Sequence, residues 1–258
     1  MFEVVGRPRV GLALGGGVWR GWAHVGVLSV LERERIPIDC VAGASAGALT
    51  GALYCAGVPL PQLRALASRV RWRDFASPVW PVKGFVSFAR LERWLVATIG
   101  DLDFSDLKLP FAAAATDLET GESVALKEGR VAPAVRASSS VPGIVTPVEV
   151  DGRFLVDGGA SNNLPVSLVR ALGADYVIGV DLFAPVLRRR WGPFGFGFAA
   201  VETLIRQAGG GVKAADCLIT PQLAGASYLR FTKDKELIAL GEQAAEAKLA
   251  CIRAALNL

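Results

Sequence analysis

The chain has 258 residues, 52% hydrophobic and 20% charged, with a net charge of +4. That length and balance give a globular chain with a sizeable core and exclude a disordered one. The basic excess is mild and spread out: it gives slight support for an anionic partner such as a lipid surface, and with no aromatic-basic module no nucleic-acid partner is expected.

In chain order, "RVGLAL" (9–14) reads as a buried strand and "GGG" as the turn after it. The segment Val18 to Ile36 has helical length and Pro37 stops it. "IDCVAG" (38–43) is a second short buried strand, and a small-residue helix runs from after Ser45 to about Ala56. Two strand–turn–helix units in succession argue for an α/β fold: a mainly parallel central sheet with helices on both faces. Residues 60–108 read as a helical excursion from the sheet. "LPFAAAATDL" (109–118) and "ESVALKEG" (122–129) are strands around a turn at Gly121, and "APAVRASSSV" is a helix ended by Pro142 and Gly143. "PVEVDGRFLVDGG" has a hairpin pattern with Asp151-Gly152 at its turn. A helix, Gly173 and a strand follow in "SLVRALGADYVIGVDL"; "ADCLITPQL" is one more strand, and the tail from Lys233 an amphipathic helix. With no repeat and no linker composition, residues 1–258 are expected to form a single domain.

Cysteines 40, 55, 217 and 251 include no C-x-x-C pair, and three lie in apolar surroundings, so free buried thiols are expected. The N-terminal apolar run ends in glycines rather than a cleavage site, and no charge-free segment reaches the ~18 residues of a membrane span. The expected location is cytoplasmic, with peripheral contact at the inner face of the membrane left open.

The chemistry gathers in three places. Ser45 stands in "GASAG", the G-x-S-x-G spacing of a hydrolase nucleophile, where Gly43 and Gly47 let a sharp turn close and the helix start offers N–H groups to an anion. The same pattern also occurs in helix–helix contacts. Gly15, Gly16 and Gly17 in "GGGVWRG" present bare backbone to a phosphate or an oxyanion, or else form a tight packing turn. A dinucleotide fingerprint fails because Arg20 replaces its third glycine and no acidic residue ends the second strand. Arg20, in the first helical turn, has either a carboxylate or anionic partner or a solvated surface position. The lone histidine, His24, lies about 10 Å along the helix from the glycine turn and shares a face with Leu28 and Leu31. It reads as a core residue pointing away from Ser45, so a Ser–His–Asp triad is not expected. A carboxylate or a lysine remains as base. Asp157 in "FLVDGGASNNLP", followed by Gly158 and Gly159, ends an apolar strand where desolvation would raise its pKa; an ordinary Asp-Gly turn is the alternative. "DLDFSD" (101–106) lacks the glycine and glutamate of a calcium loop and reads as a solvated turn.

Taken in order, "GGGVWRG", "GASAG" and "DGG", with "AVRASSSVPGI" and "ALGADYVIGVD" around them, resemble the patatin-like phospholipase family over about residues 8–183. The resemblance implies the three-layer patatin fold and a Ser–Asp dyad: Ser45 as nucleophile, Asp157 as its direct base, and the N–H groups of Gly15, Gly16 and Gly17 as oxyanion hole. Arg20, Gly43, Gly47, Gly158 and Gly159 would support them. The reaction implied is hydrolysis of a lipid or phospholipid ester through an acyl-serine, with no cofactor and no metal. Acyl transfer on the same dyad and a non-catalytic lipid-binding role are the alternatives. Beyond the match, "VLRRRWGPFGFGF" sets arginines beside Trp191, Phe194, Phe196 and Phe198. The stretch Arg188–Phe198 suits either a membrane interface or a loop folded over the site.

Overall fold

The structure, a computed structural model, describes residues 7–183, 192–223 and 234–258. Strand β1 (Val10–Leu14) passes through the glycine turn and a 3-10 turn, Val18–Gly21, into α1 (Trp22–Arg33). Strand β2 (Cys40–Ala44) leads through Ser45 into α2 (Ala46–Cys55). The excursion holds α3 (Leu60–Arg69), α4 (Trp72–Phe75), the strand pair β3 (Ser77–Pro78) and β4 (Val86–Ser87), and α5 (Ala89–Ile99). Next come β5 (Phe111–Asp117), β6 (Ser123–Leu126), α6 (Val131–Ser138), β7 (Val148–Val150), β8 (Arg153–Asp157), α7 (Val166–Ala171) and β9 (Tyr176–Val180). The remaining elements are α8 (Gly192–Gln207), α9 (Gly211–Ala214), β10 (Cys217–Ile219), α10 (Asp234–Glu246) and α11 (Leu249–Leu256).

The main sheet runs β10-β9-β1-β2-β5-β8-β7, with β6 also on β5. Strands β10, β9, β1, β2 and β5 are mutually parallel; β6, β7 and β8 supply the antiparallel pairings. Side chains alternate between two apolar layers, as the period of two of a strand requires. Val10, Leu12, Leu14, Val41 and Phe111 face the larger core under α1 and α2. Ala13, Cys40, Ala42 and Ala112 face the smaller layer with α7. The fold is therefore a three-layer α/β arrangement with helices on both faces.

The register of β5 sets up everything that follows. Ala114 pairs with Ala44 of β2, and the next residue, Ala115, pairs with Asp157 of β8. Strand β6 pairs with residues 113–116 along the other edge. Strands β2 and β8 therefore share one edge of β5 and meet end to end, each by its C-terminal residue.

The expected strand–turn–helix units, the hairpin at Asp151-Gly152 and the strands around Gly121 are present. At the hairpin tip both Asp151 (φ 49°) and Gly152 (φ 76°) are left-handed, as a two-residue type I′ turn requires. Several boundaries differ. The first helix begins at Trp22, not Val18, because Val18 has a positive φ of 51° and only a 3-10 turn follows it. The excursion contains the β3–β4 pair, whose two-residue strands are too short to show a period. Helix α8 takes in Gly195 and Gly197, in the stretch read either as a membrane interface or as a loop folded over the site. The tail forms two helices rather than one. All four cysteines are free; Cys40, Cys55 and Cys217 are buried and Cys251 is exposed. In "DLDFSD", Asp101 pairs with Arg130, and the Asp106 carboxylate accepts the Asp103 N–H in a short turn. Among the described residues, no helix is long and apolar enough to cross a membrane.

Helices α1 and α10 cross in backbone contact. A Cβ at Gly26 would stand 2.0 Å from the Ile238 carbonyl oxygen, and one at Gly241 would stand 2.0 Å from that of Ala23. Alanine is the better helix former by about 1 kcal/mol, yet the crossing leaves no room for its methyl. Gly26→Ala is expected to lower stability by about 1–3 kcal/mol, read as a lower denaturant midpoint. A gain in midpoint would show that the crossing is not this close.

Candidate active site

Ser45 lies between the end of β2 and the start of α2, with φ 53° and ψ −120°. A non-glycine residue in that conformation is strained by about 1–3 kcal/mol, and the surroundings must hold it there. Its N–H donates to Ser138 Oγ at 3.0 Å, and Ser138 Oγ donates to the Ala114 carbonyl at 2.5 Å. The last side chain of α6 thus ties the turn to β5. The glycines on either side are required by close approach. A Cβ at Gly43 would lie 2.3 Å from the Gly47 carbonyl oxygen, and one at Gly47 would lie 2.0 Å from that of Leu14. The G-x-S-x-G spacing is the imprint of backbones packed too tightly for any side chain.

Asp157 arrives from the opposite direction at the end of β8. The Ser45 hydroxyl lies near enough to its carboxyl to pull the pKa down, and the Gly159 N–H donates to Oδ1 at 2.8 Å. Its own N–H donates to the Ser140 carbonyl at 2.9 Å, and Thr116 Oγ1 donates to its carbonyl at 2.9 Å. A Cβ at Gly158 would meet the Ala114 carbonyl oxygen at 2.2 Å, so glycine is needed for β8 to close onto β5. Burial pushes the carboxyl pKa up to about 6, against the opposing pull of the nearby Ser45 hydroxyl and the Gly159 N–H. Ser45 and Asp157 are both buried, and the hydroxyl and carboxyl lie near one another.

The glycine turn is less uniform than expected. The Gly15 N–H donates to the Val180 carbonyl at 3.0 Å, prolonging the β1–β9 ladder, and the Gly16 N–H makes a longer bond of 3.3 Å to the Asn163 carbonyl. Among the described residues, the N–H groups of Gly17 and Val18 have no protein acceptor. The expectation of three free donors is therefore corrected. Gly15 is committed to the sheet, Gly16 is partly engaged and stands against Ser45 Cβ, and the open donors begin at Gly17.

Arg20 is buried, with a guanidinium N–H donating to the Leu182 carbonyl at 3.3 Å, so the solvated reading is removed. His24 is also fully buried. Its Nε2 lies 2.8 Å from the Gly15 carbonyl oxygen, which can only accept, so Nε2 carries the proton and Nδ1 does not. Burial lowers its pKa to about 4. The imidazole stays neutral and reaches back to pin the glycine turn rather than standing clear of it, but its bond is to Gly15 and not to Ser45.

Ser45 opens onto a cavity of about 250 Å³ whose wall includes Trp19, Trp22, Trp72, Phe75, Phe88 and Leu91. The rings lock one another: Trp19 stacks on Phe75 with centroids 5.8 Å apart, and Trp72 meets Phe88 edge-on at 5.4 Å. Val18 and Ala46 line the same space, so the free end of the glycine turn and the start of α2 both face it. Such a chamber takes an apolar chain and gives it almost no polar partner.

Two contributors escaped the sequence reading. Ser138 sits in a serine triplet that looks like any helix end. Asn163 lies in "ASNN", a run that reads as a polar loop, yet it is fully buried and, among the described residues, neither amide atom has a hydrogen-bond partner. Its Oδ1 lies 2.8 Å from where a Cβ of Gly16 would be and 3.3 Å from that of Gly159. It therefore fills the space between the glycine turn and the Asp157 turn. Of the stretch Arg188–Phe198, Arg188–Trp191 lie outside the described residues, as do the side chains of Phe194 and Phe198, while the rest lies on α8, where Phe196 is exposed. Helix α8 is anchored by Arg206, which pairs with buried Asp181 at 2.6 Å.

The two buried titratable groups act oppositely on stability. The Asp157 carboxyl holds its proton in the fold up to about pH 6, so its contribution is full below about 3.8 and is lost as pH rises through 6. For His24, the contribution is full above about 6.5 and is lost as pH falls through about 4. Asp157→Asn is expected to raise the thermal midpoint at neutral pH, by up to about 3 kcal/mol of stability. The gain should fade as pH approaches 4; thermal scans across that range check it, and a lower midpoint at neutral pH would contradict the burial cost.

The patatin-like phospholipase family model matches residues 12–170. An uncharacterised NTE family protein of Mycobacterium tuberculosis is 38% identical over 178 residues, covering 68% of this chain and 49% of its own. A lysophospholipase NTE1 of Saccharomyces cerevisiae is 31% identical over 186 residues, covering 70% of this chain and 11% of its own. The chain thus spans about half the length of the mycobacterial relative. Among solved structures, VipD from Legionella pneumophila superposes with a TM-score of 0.62 at 14% identity, covering 95% of this chain and 67% of that one. ExoU of Pseudomonas aeruginosa, solved with SpcU, gives 0.52 at 16% identity, covering 98% and 52%. These two likenesses concern the fold alone. With its family model spanning residues 12–170, this chain belongs to the patatin-like phospholipase family.

Proposed function

We propose that the chain is a lipid acyl hydrolase, of phospholipase or lysophospholipase type, in which Ser45 is the nucleophile and Asp157 its base, within one catalytic domain. The observation that carries this reading is the proximity of the buried Ser45 and Asp157, with Ser45 lining an apolar chamber. In the first step the Ser45 oxygen attacks the ester carbonyl while Asp157 takes the hydroxyl proton. The tetrahedral oxyanion is met by the free N–H groups at Gly17 and Val18, with the N-terminus of α2 behind it. Collapse expels the alcohol, which receives the proton from Asp157, and leaves the acyl group on Ser45. Water then attacks the acyl-enzyme, Asp157 accepts its proton, and the fatty acid departs as Ser45 is restored.

A carboxylate that titrates near 6 is a far better base than one that titrates near 4, and it is still ionised at neutral pH. The lysophospholipase named among the relatives supports a lipid ester as substrate. Acyl transfer shares the first half of this scheme and differs only in the acceptor.

Ser45→Ala and Asp157→Asn are each expected to lower turnover of a short-chain nitrophenyl ester by at least about 10³-fold. Wild-type kcat/KM should fall about tenfold per pH unit below an apparent pKa of about 6. Full activity in either variant, or a flat profile through pH 6, would remove the mechanism. We propose further that Asn163 holds the glycine turn in register with Asp157. Asn163→Ala is expected to lower kcat by about 10–10²-fold with little change in KM; an unchanged kcat would make Asn163 a packing residue only.

A further inference from the structure

The excursion that builds the chamber also carries the most exposed apolar side chains near its mouth. Trp80 is 86% exposed, Val82 79% and Phe85 65%. All three sit on the tip joining β3 to β4, and single exposed apolar residues are ordinary where a contiguous group is not. This tip is held firmly. The Val79 N–H donates to the Phe85 carbonyl at 3.1 Å, closing the hairpin. The N–H groups of Phe85 and Val86 both donate to the Ile144 carbonyl, at 2.8 and 3.1 Å, and Thr146 returns a bond to Val86 at 2.9 Å. A Cβ at Gly84 would meet the Thr146 nitrogen at 2.8 Å, so the tip is pressed against that segment.

The segment it is stapled to is the lip of the chamber. Ile144 lines the cavity and is 52% exposed, and Val18, across from it in sequence, lines the cavity and is partly exposed as well. Phe75 and Phe88, which flank the hairpin at its base, form part of the chamber wall. Apolar residues thus line the wall and the lip, and the lip is hydrogen-bonded to the tip that carries Trp80, Val82 and Phe85. Lys83 follows at the tip with its Nζ 4.2 Å above the Phe154 ring, which sets a cation beside the apolar apex.

We propose that the 79–85 hairpin, with Ile144, docks the protein on a phospholipid bilayer surface. Trp80 and Val82 enter the acyl boundary, Lys83 stays among the headgroups, and the mouth of the chamber faces the membrane. An acyl chain then passes from bilayer to chamber along one apolar surface without crossing water. This rests on the reading of the chamber as an acyl site. It places the membrane contact in the excursion, a different element from the Arg188–Phe198 stretch.

The test separates docking from catalysis. Binding of the full chain to phosphatidylcholine vesicles, with and without phosphatidylglycerol, is measured by flotation and by the blue shift of tryptophan fluorescence. The same proteins are assayed on a water-soluble short-chain ester. The double variant Trp80→Ser, Val82→Ser is expected to bind vesicles at least about tenfold more weakly, with unchanged turnover of the soluble ester. Trp80→Phe should retain most of the binding. Equal vesicle binding by wild type and the double variant would overturn the proposal. So would loss of binding on Phe196→Ser, Leu204→Ser in α8 with the hairpin variant unaffected. A lipid-independent dimer abolished by the hairpin variant would assign the tip to a second copy of the chain and overturn it too. Run in the Ser45→Ala background, vesicle binding is read without turnover, so failure of the catalytic scheme and failure of the docking are distinguishable.

Discussion

Two strands that meet tip to tip along one edge of β5 are the constraint on which this site depends. Hydrogen bonding to β5 places Ala44 beside Ala114 and Asp157 beside Ala115, which brings the residue after β2 close to the last residue of β8. Strand β8 must run antiparallel for this, since a parallel neighbour would carry its C-terminus away from the elbow. The hairpin with β7, closed by Asp151-Gly152, supplies that reversal. Gly158 lets the tip settle on the Ala114 carbonyl, and Ser138 locks the elbow from the side. The reactive pair is a product of sheet register.

Such a site stores free energy in two forms. Ser45 is held at a positive φ, and Asp157 is held away from water. Each is unfavourable by itself, and each is sustained by packing that does nothing else: paired glycines, a buried serine, and a neutral histidine bonded to the Gly15 carbonyl. The desolvation that costs stability is also what raises the carboxyl's basicity, on which the proposed proton transfer rests. Stability and reactivity are opposed at this residue by one physical cause.

What was legible in the sequence follows from where a constraint leaves a residue-type mark. Gly43, Gly47 and Gly158 are legible because backbone contact admits only glycine, and Ser45 is legible because it stands between two of them. The alternating burial of β1 and β2 and the Asp-Gly hairpin turn have local signatures too. The partnership of Ser45 with Asp157 has none, since it is created by pairing across β5; the ordered family motifs carried it. The division of labour within the glycine turn was hidden for the same reason: whether Gly15 or Gly17 keeps its N–H free depends on where β9 and Asn163 lie. Asn163 and Ser138 are indistinguishable in sequence from polar loop residues. The β3–β4 pair is too short for any period, and glycines inside α8 disguised a helix.

The crossing of α1 with α10 has a reach beyond packing. Helix α1 carries His24, whose ring fastens the first glycine of the turn, and the same helix rests its bare backbone on a segment more than two hundred positions later in the chain. A shift of the late helix would therefore tilt the early one and drag the turn's carbonyl with it. The proposed catalytic apparatus is buttressed from its far flank, and remote lesions in that buttress would surface as a misaligned glycine turn while Ser45 itself remained untouched.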